Sequence, residues 1–445
     1  MSLPLTIPYE PLFDLWRLWL TPSVWPPLDK WLKQELSNRG GASVSAAQRS
    51  LKREMGKWMF SAMRFVQLAG AFEASYRAEA ELDWAQWDKQ WDQASAKKIP
   101  PAAFWYWVAL REGVAHTSPK ALRDAAERKA WFDKLAKTVP LTDAGKLLWA
   151  GLRPAWQPAL QARQQQSGWS AQQMNDFLQL QNTAPPLWLR VQKNMPVADV
   201  LQSLQQDGVD VAQSEQGTLQ EQALVARGGK YISATEAHKS GWVEVQDLAS
   251  QQIACAVAVK SGQKVWDACA GAGGKSLAIA ARMNNKGVLI ATDLHQYKLD
   301  ELKRRSKRAE LHNLRSFVWT GDAPLRLPKE VAQQQGFDWV LIDAPCSASG
   351  TWRRNPDARW RFTDADTQEL ITLQQQLLHN AAAGVRRGGH LVYATCSWQL
   401  SENEEQVKWF LEQHSEFELQ NQTMVGAPVE DADAMFVAVL RRKDI

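Results

Sequence analysis

The sequence predicts an α/β protein. A doubly wound, Rossmann-like parallel sheet is expected over residues 251–445, behind a small α+β module over 183–250 and an all-helical, tryptophan-rich domain over 1–175. Three observations predict it. Strand-like and helix-like segments alternate regularly after residue 251, which implies a parallel sheet covered by helices on both faces. A glycine-rich turn, "CAGAGGKS", follows the first of those strands, at the strand end where such sheets bind ligands. Before residue 175, apolar residues recur at a period near 3.6 with no strand signal between them.

In the first region, "SVSAAQRSLKREMGKWMFSAMRFVQLAG", "PKALRDAAERKAWFDKLAKTV" and "DAGKLLWAGLRPAWQPALQARQQQ" read as amphipathic helices. Proline and glycine separate them at "PSVWPPLDK", "KKIPPAAF" and "TVPLTDAG". Fourteen of the chain's 23 tryptophans fall between Trp16 and Trp169, many at helical spacing, as in "DWAQWDKQWDQ" and "FWYWVAL". Packing between helices is the reading that spacing favours; stacking on RNA bases is the other.

The middle region holds strands at "PPLWLRVQ", "ALVARGG" and "GWVEVQD" and a short helix at "PVADVLQSLQQDG". After residue 251 the strands are "QKVWDACA", "GVLIATD", "RSFVWTGD", "FDWVLIDAPC" and "HLVYATCS", closed by "FELQN" and "AMFVAVLRR". The helices between them include "KSLAIAARM", "QYKLDELKRRSKRAELHN", a long one from about Asp364 to Arg387, and "SENEEQVKWFLEQH".

Composition bounds the function. At 445 residues and 45% hydrophobic, the chain has ample material for a core and for more than one domain. A net charge of +4 means that any nucleic acid must be held by local basic clusters. The first twenty residues make a poor signal peptide, and no apolar run approaches the roughly 18 residues of a membrane span. Four cysteines, none in a CxxC pair, suggest neither a disulfide framework nor structural zinc, so no metal is expected. A cytoplasmic monomer with free thiols is the expectation.

The glycine turn fails two familiar patterns by one residue each. A Walker A loop needs glycine where Cys269 stands, and a dinucleotide fingerprint needs glycine at Ser276. Gly271, Gly273 and Gly274 still permit close backbone approach ahead of a helix N-terminus. Three acids, Asp293, Asp322 and Asp343, close the following predicted strands. A carboxylate about 20 residues past a glycine loop suits ribose hydroxyls. With no phosphate clamp in view, the loop reads as holding a nucleoside cofactor, S-adenosylmethionine being the common case.

Two thiols each end a predicted strand, Cys346 in "DAPCSASG" and Cys396 in "YATCS", whereas Cys255 and Cys269 read as packing. A thiolate adding at carbon 6 of a pyrimidine makes carbon 5 enamine-like, able to accept a methyl group from a sulfonium. Asp343, three residues before Cys346, can hydrogen-bond the edge of the base and stabilise the adduct. Such a base must be unstacked or single-stranded. Chemistry alone does not rank the two thiols.

Together "CAGAGGK", "DAPCSASGTWRRNPD" and "YATCSWQLSENEEQV" resemble the motifs of the RsmB/NOP-type (Nop/Sun) RNA cytosine-5 methyltransferases, over roughly residues 183–445. The resemblance implies a class I methyltransferase fold, with Cys396 as nucleophile and Cys346 assisting release of the methylated RNA. Asp343 is implied in base recognition. S-adenosylmethionine would be contacted by Cys269, Ala270, Gly271, Ala272, Gly273, Gly274, Lys275, Asp293, Asp322 and Asp343. The implied partner is RNA, ribosomal or transfer, and the implied module over 183–250 is RNA-binding. Two positions depart from the family: alanine–proline is usual at Gly271–Ala272, and glycine at Ala348. The tryptophan-rich region matches no family motif.

Two basic clusters accompany these motifs. "KLDELKRRSKR" reads equally as a solvated helix face. "RRNPDARWR", directly after the thiol turn, favours RNA contact by Arg353, Arg354, Arg359, Trp360 and Arg361. A non-catalytic RNA-binding or ribosome-assembly factor is the competing class; loss of a thiol or of Asp343 would have favoured it, and all are present.

Overall fold

The computed structural model describes residues 7–38, 45–192, 195–214 and 223–444. Ser43 and Val44, the start of one expected helix, lie outside them, as do the first six residues of the leader reading. The chain divides into two compact units. One comprises the residues up to Gln164 together with Met174–Ala184 and Trp352–Phe362; the other comprises Gln165–Gln173, Pro185–Thr351 and the residues from Thr363 onward.

The first unit is helical. Its longest helix, Ala46–Ala78, begins at a capping box in which Ser45 accepts from the Gln48 backbone and the Gln48 side chain accepts from Ser45. At 1.5 Å per residue it runs about 50 Å, and it departs from helical geometry at Phe65. Against it lies Pro101–Arg111, started by proline at its first position and buried from Ala103 through Leu110. A helix apolar on every side belongs in a core, and here the indoles supply it. Trp16 stacks on Phe104 with centroids 4.2 Å apart, and Trp58 meets Trp105 edge-on at 6.5 Å. Trp16, Trp19, Trp25, Trp58, Trp84, Trp105 and Trp107 are buried, and none of the unit's tryptophans is fully exposed. Buried charge is paired: Glu73 accepts from Trp107, Arg77 and Arg128, and Asp88 from Gln67, Arg153 and the Ala155 backbone.

An eleven-residue piece of the C-terminal half belongs to this unit. Trp352 packs on Trp156 at 4.6 Å, and Trp360 donates to the Met63 carbonyl. Arg359 donates to the carbonyls of Gly151 and Trp352, Arg353 donates to Thr183, and Asp357 accepts from the Leu28 backbone. Gly151, at φ +68°, leaves no room for a side chain: a Cβ would lie 2.3 Å from the Arg64 carbonyl oxygen.

The second unit contains two sheets. Strands β1 (Leu187–Val191), β2 (Val209–Gln213), β3 (Ala223–Gly229) and β4 (Val243–Val245) form an antiparallel sheet in the order β2-β3-β1-β4. The strand β2 is an addition to the sequence reading; in "VDVAQ" only Val209 and Val211 mark the alternation, and both are buried.

Strands β5 (Lys264–Asp267), β6 (Val288–Asp293), β7 (Leu314–Val318), β8 (Phe337–Asp343), β9 (Val385–Thr395), β10 (Phe417–Gly426) and β11 (Ala434–Arg442) form the large sheet. Its order is β10-β11-β9-β8-β5-β6-β7, parallel from β5 to β9, with β10 and β11 antiparallel at one edge. This is the doubly wound class I methyltransferase arrangement. Because β5 pairs with both β6 and β8, the chain reverses direction across the sheet beside it, and the loop after β5 lies at the switch point. The expected long helix stops at Ala382, not Arg387, and "VRRGG" instead opens β9, since Gly384 and Gly388–Gly389 suit no helix interior.

Candidate active site

The glycine loop is tied to both neighbouring strands. Ala268 donates to the Leu341 carbonyl of β8 and Ala270 to Thr292 of β6, each at 2.8 Å. Beneath it, Asp267 is fully enclosed and accepts from the Ser276 hydroxyl at 2.6 Å; burial pushes its carboxyl up to about 7. Gly271 and Gly273 adopt φ of +56° and +88°. Gly273 also lies against Leu302, which a Cβ would meet at 2.7 Å. The helix Gly274–Arg282 then presents its first N–H groups at the loop.

Asp293 ends β6 and shapes that loop. One carboxylate oxygen accepts from Gly271 N at 3.0 Å, the other from His295 N at 2.9 Å, and Lys298 lies 3.5 Å away. Each oxygen keeps a lone pair for a ligand hydroxyl. The next residue, Leu294, is 58% exposed, an apolar surface beside the acid that sequence reasoning passed over. Asp322 is different. Strand β7 ends at Val318, so Asp322 lies four residues past it, exposed, accepting from Gln376 at 3.2 Å.

Asp343 ends β8 and is bridged by Lys275 of the loop, Nζ to Oδ2 2.6 Å. Burial acts to lower the lysine's pKa, but the adjacent Asp343 carboxylate outweighs it and holds the ammonium charged. Three residues on, Cys346 Sγ stands 3.3 Å from Cys396 Sγ, a thiol–thiol contact well beyond the roughly 2.05 Å of a disulfide. Parallel pairing of β8 with β9, Asp343 opposite Ala394, brings them together. The hydrogen bond to Cys396, with burial behind it, raises the Cys346 thiol well above its ordinary value. Burial likewise raises the Cys269 thiol, with the charges of Asp267, Asp343 and Asp293 adding to it, and Cys269 packs against the sheet core.

Side chains outside the sequence-derived set fix this geometry. Glu402, fully buried, accepts from Ser347 N at 2.8 Å, Ser347 Oγ at 2.5 Å and Gln374 at 3.1 Å. Asn403 accepts from Thr395 and donates to the Ser397 carbonyl, on either side of Cys396. Gly350 N donates to the Cys396 carbonyl at 2.9 Å. Glu402 and Asn403 stand within "SENEEQV", so the signal was in the motif, but nothing local tells a buried glutamate from a solvated helix start. Ala348 holds φ +55°, a conformation natural to the glycine usual there.

The "RRNPDARWR" expectation needs correction. Arg353 and Arg359 are each 1% exposed and donate inside the helical unit, so neither offers a guanidinium to a phosphate. Burial lowers the Arg359 pKa to about 9, with Arg64 adding to the effect. Arg361 pairs with Asp357 at 3.0 Å, and Arg354 and Trp360 are half-buried. In the other cluster, Arg305 and Arg308 hold Glu244 of β4, and Arg305 also donates to the Ala272 carbonyl of the loop. Among the described residues no cluster suited to a metal ion occurs, and no helix is long and apolar enough to cross a membrane.

Residues 254–440 match the family described as 16S rRNA methyltransferase RsmB/F. A ribosomal RNA small subunit methyltransferase B of Yersinia pseudotuberculosis is 32% identical over 300 residues, 66% of this chain and 67% of that protein. The chain belongs to the RsmB/F methyltransferase family. A second relative, the methyltransferase B of Photorhabdus laumondii, is 33% identical over 249 residues; the chain spans 56% of its length. The crystal structure of PH0851 superposes with a TM-score of 0.69, covering 99% of this chain and all of that one at 23% identity, which shows a shared fold. The RsmB/F family's cofactor is S-adenosylmethionine, and the site fits it: the left-handed glycines open the loop, Asp293 has acceptor capacity for ribose, and Leu294 is exposed beside it.

Proposed function

We propose that the protein is an S-adenosylmethionine-dependent RNA (cytosine-5)-methyltransferase working through a covalent Cys396–cytosine adduct, with ribosomal RNA as substrate. The observation that carries this reading is the pair of thiols 3.3 Å apart, beside the Asp343–Lys275 ion pair and one strand from the glycine loop. Relatives named for small-subunit ribosomal RNA favour that substrate over transfer RNA.

The loop from Cys269 to Lys275, with Asp293 and Asp322, would hold the cofactor. Bound S-adenosylmethionine supplies an electrophilic methyl group. The chain's own residues make carbon 5 able to take it. Cys396 gives its proton to solvent and adds as thiolate to carbon 6, and the electron pair displaced from the C5–C6 bond is conjugated with the base. Asp343, fixed by Lys275, hydrogen-bonds the nitrogen edge of the base and stabilises the adduct. After methylation the proton on carbon 5 passes to water, its electron pair re-forms the C5–C6 double bond, and Cys396 leaves as thiolate. Cys346, adjacent to that sulfur, serves this release step.

The test separates the thiols. Cys396→Ala should form no adduct and lose methylation. Cys346→Ala should methylate once and stay bound to RNA as a band surviving denaturing electrophoresis. A band in Cys396→Ala alone would reverse the roles; full activity in both would remove covalent catalysis.

A further inference from the structure

The helical unit contains a cavity of about 260 Å³, lined by Gly70, Arg77, Trp87, Gln90, Trp91 and Lys98 among others. Its walls come from "DWAQWDKQWDQ", whose tryptophans do not share one fate. Trp84 is buried, as core packing requires, whereas Trp87 and Trp91 are half-buried and face the cavity. Their centroids lie 5.1 Å apart with planes tilted 32°. Trp91 rests on Gly70 of the long helix, where a Cβ would stand 2.2 Å from the ring, so only glycine admits the indole at this depth.

The polar lining has a definite sense. Glu73 is covered: its oxygens accept from Arg77 Nε at 2.7 Å, from Trp107 Nε1 at 2.9 Å and from Arg128. Arg77 and Lys98 remain exposed at the rim, Arg77 with its terminal N–H groups beyond the Nε that Glu73 takes. Gln90 adds an amide that can both donate and accept. A partly open indole pair, two rim cations and an amide match a planar base carrying a negative phosphate. The volume lies just below the roughly 300 Å³ at which pockets for drug-sized ligands begin, which suits one nucleotide and not an extended ligand.

We infer that this cavity binds one unstacked nucleotide of a single-stranded RNA segment, with the base against Trp87 and Trp91 and its phosphate toward Arg77 and Lys98. The inference rests on the reading of the protein as an RNA-modifying enzyme and gives the helical unit a part in holding the substrate.

The experiment uses the full-length protein and a short single-stranded RNA carrying 5-bromouridine. Irradiation should cross-link Trp87 or Trp91, located by peptide mass spectrometry. Trp91→Ala should weaken binding in fluorescence anisotropy on the order of tenfold, and Trp91→Phe should recover most of it, with thermal melts confirming folded variants. Lys98→Gln should lower the salt slope of binding by about one. Cross-links confined to other sites, with affinity unchanged in Trp91→Ala, would overturn the inference, as would saturation by free mononucleotide or an aromatic peptide without RNA binding. The Cys346→Ala adduct assay, run in parallel, isolates the catalytic reading: an adduct that forms while Trp91→Ala leaves RNA affinity unchanged keeps that reading and removes only this site. Cross-links at the tryptophans without any adduct would do the reverse.

Discussion

At the C-terminal end of β8, Asp343 and Cys346 are half-exposed; a few residues later Arg353 and Arg359 lie in the core of the helical unit. Both stretches hold charged and reactive side chains in one continuous motif. In the first, the strands on either side set the geometry, and the groups remain open to a ligand. In the second, the Arg359 guanidinium donates to the Gly151 and Trp352 carbonyls and that of Arg353 to the Thr183 hydroxyl, all within the helical unit. The comparison teaches that residue type beside an active site says little about role until the acceptors around it are known.

Arg359→Ala should have the largest effect. It removes the guanidinium that donates to the Gly151 and Trp352 carbonyls and opens a cavity in the buried interior, destabilising the protein by about 3 kcal/mol in urea melts. RNA affinity of the folded variant, measured at low temperature, should change less than twofold. Lost affinity at unchanged stability would return this arginine to the RNA contacts and dissolve the contrast.

At the strand ends the expectation differs. Asp293→Ala should weaken S-adenosylmethionine roughly tenfold by calorimetry, since both the proposed ribose acceptor and the Gly271 and His295 contacts go, while stability falls by about 1–2 kcal/mol, less than at Arg359. An unchanged cofactor affinity in a folded variant would sink the assignment.

The smallest effect belongs to Ala348→Gly. Relief of a left-handed alanine, partly offset by the flexibility of glycine in the unfolded chain, should stabilise the protein by about 0.5–1 kcal/mol. The yield of Cys346→Ala adduct should not change. A drop in that yield would mean that the strained backbone itself sets the thiol geometry.

These differences follow what was legible in the sequence. Strand–helix alternation, the glycine turn and the acids and thiols at strand ends are local signals, and the large sheet, Asp293, Asp343 and the cysteine pair followed from them. The reading of Asp322 as a strand end failed because β7 stops early, at Val318, and β2 was missed because two valines make a weak pattern. Arg353 and Arg359 were beyond reach for another reason: their surroundings come from Arg64 and Gly151, some 200 to 290 positions earlier in the chain. No window of sequence contains both halves of such a contact.

That long separation also has a meaning in time. The helical unit's contiguous portion ends at Gln164, but Trp352–Phe362, which completes its interior, emerges from the ribosome only after most of the second unit has been made. At about 5–20 residues per second, the unit waits on the order of ten to forty seconds with part of its core unfilled. Its apolar surface is then open to chaperones and to misassembly, and a fragment cut near residue 175 would remain in that unfinished state.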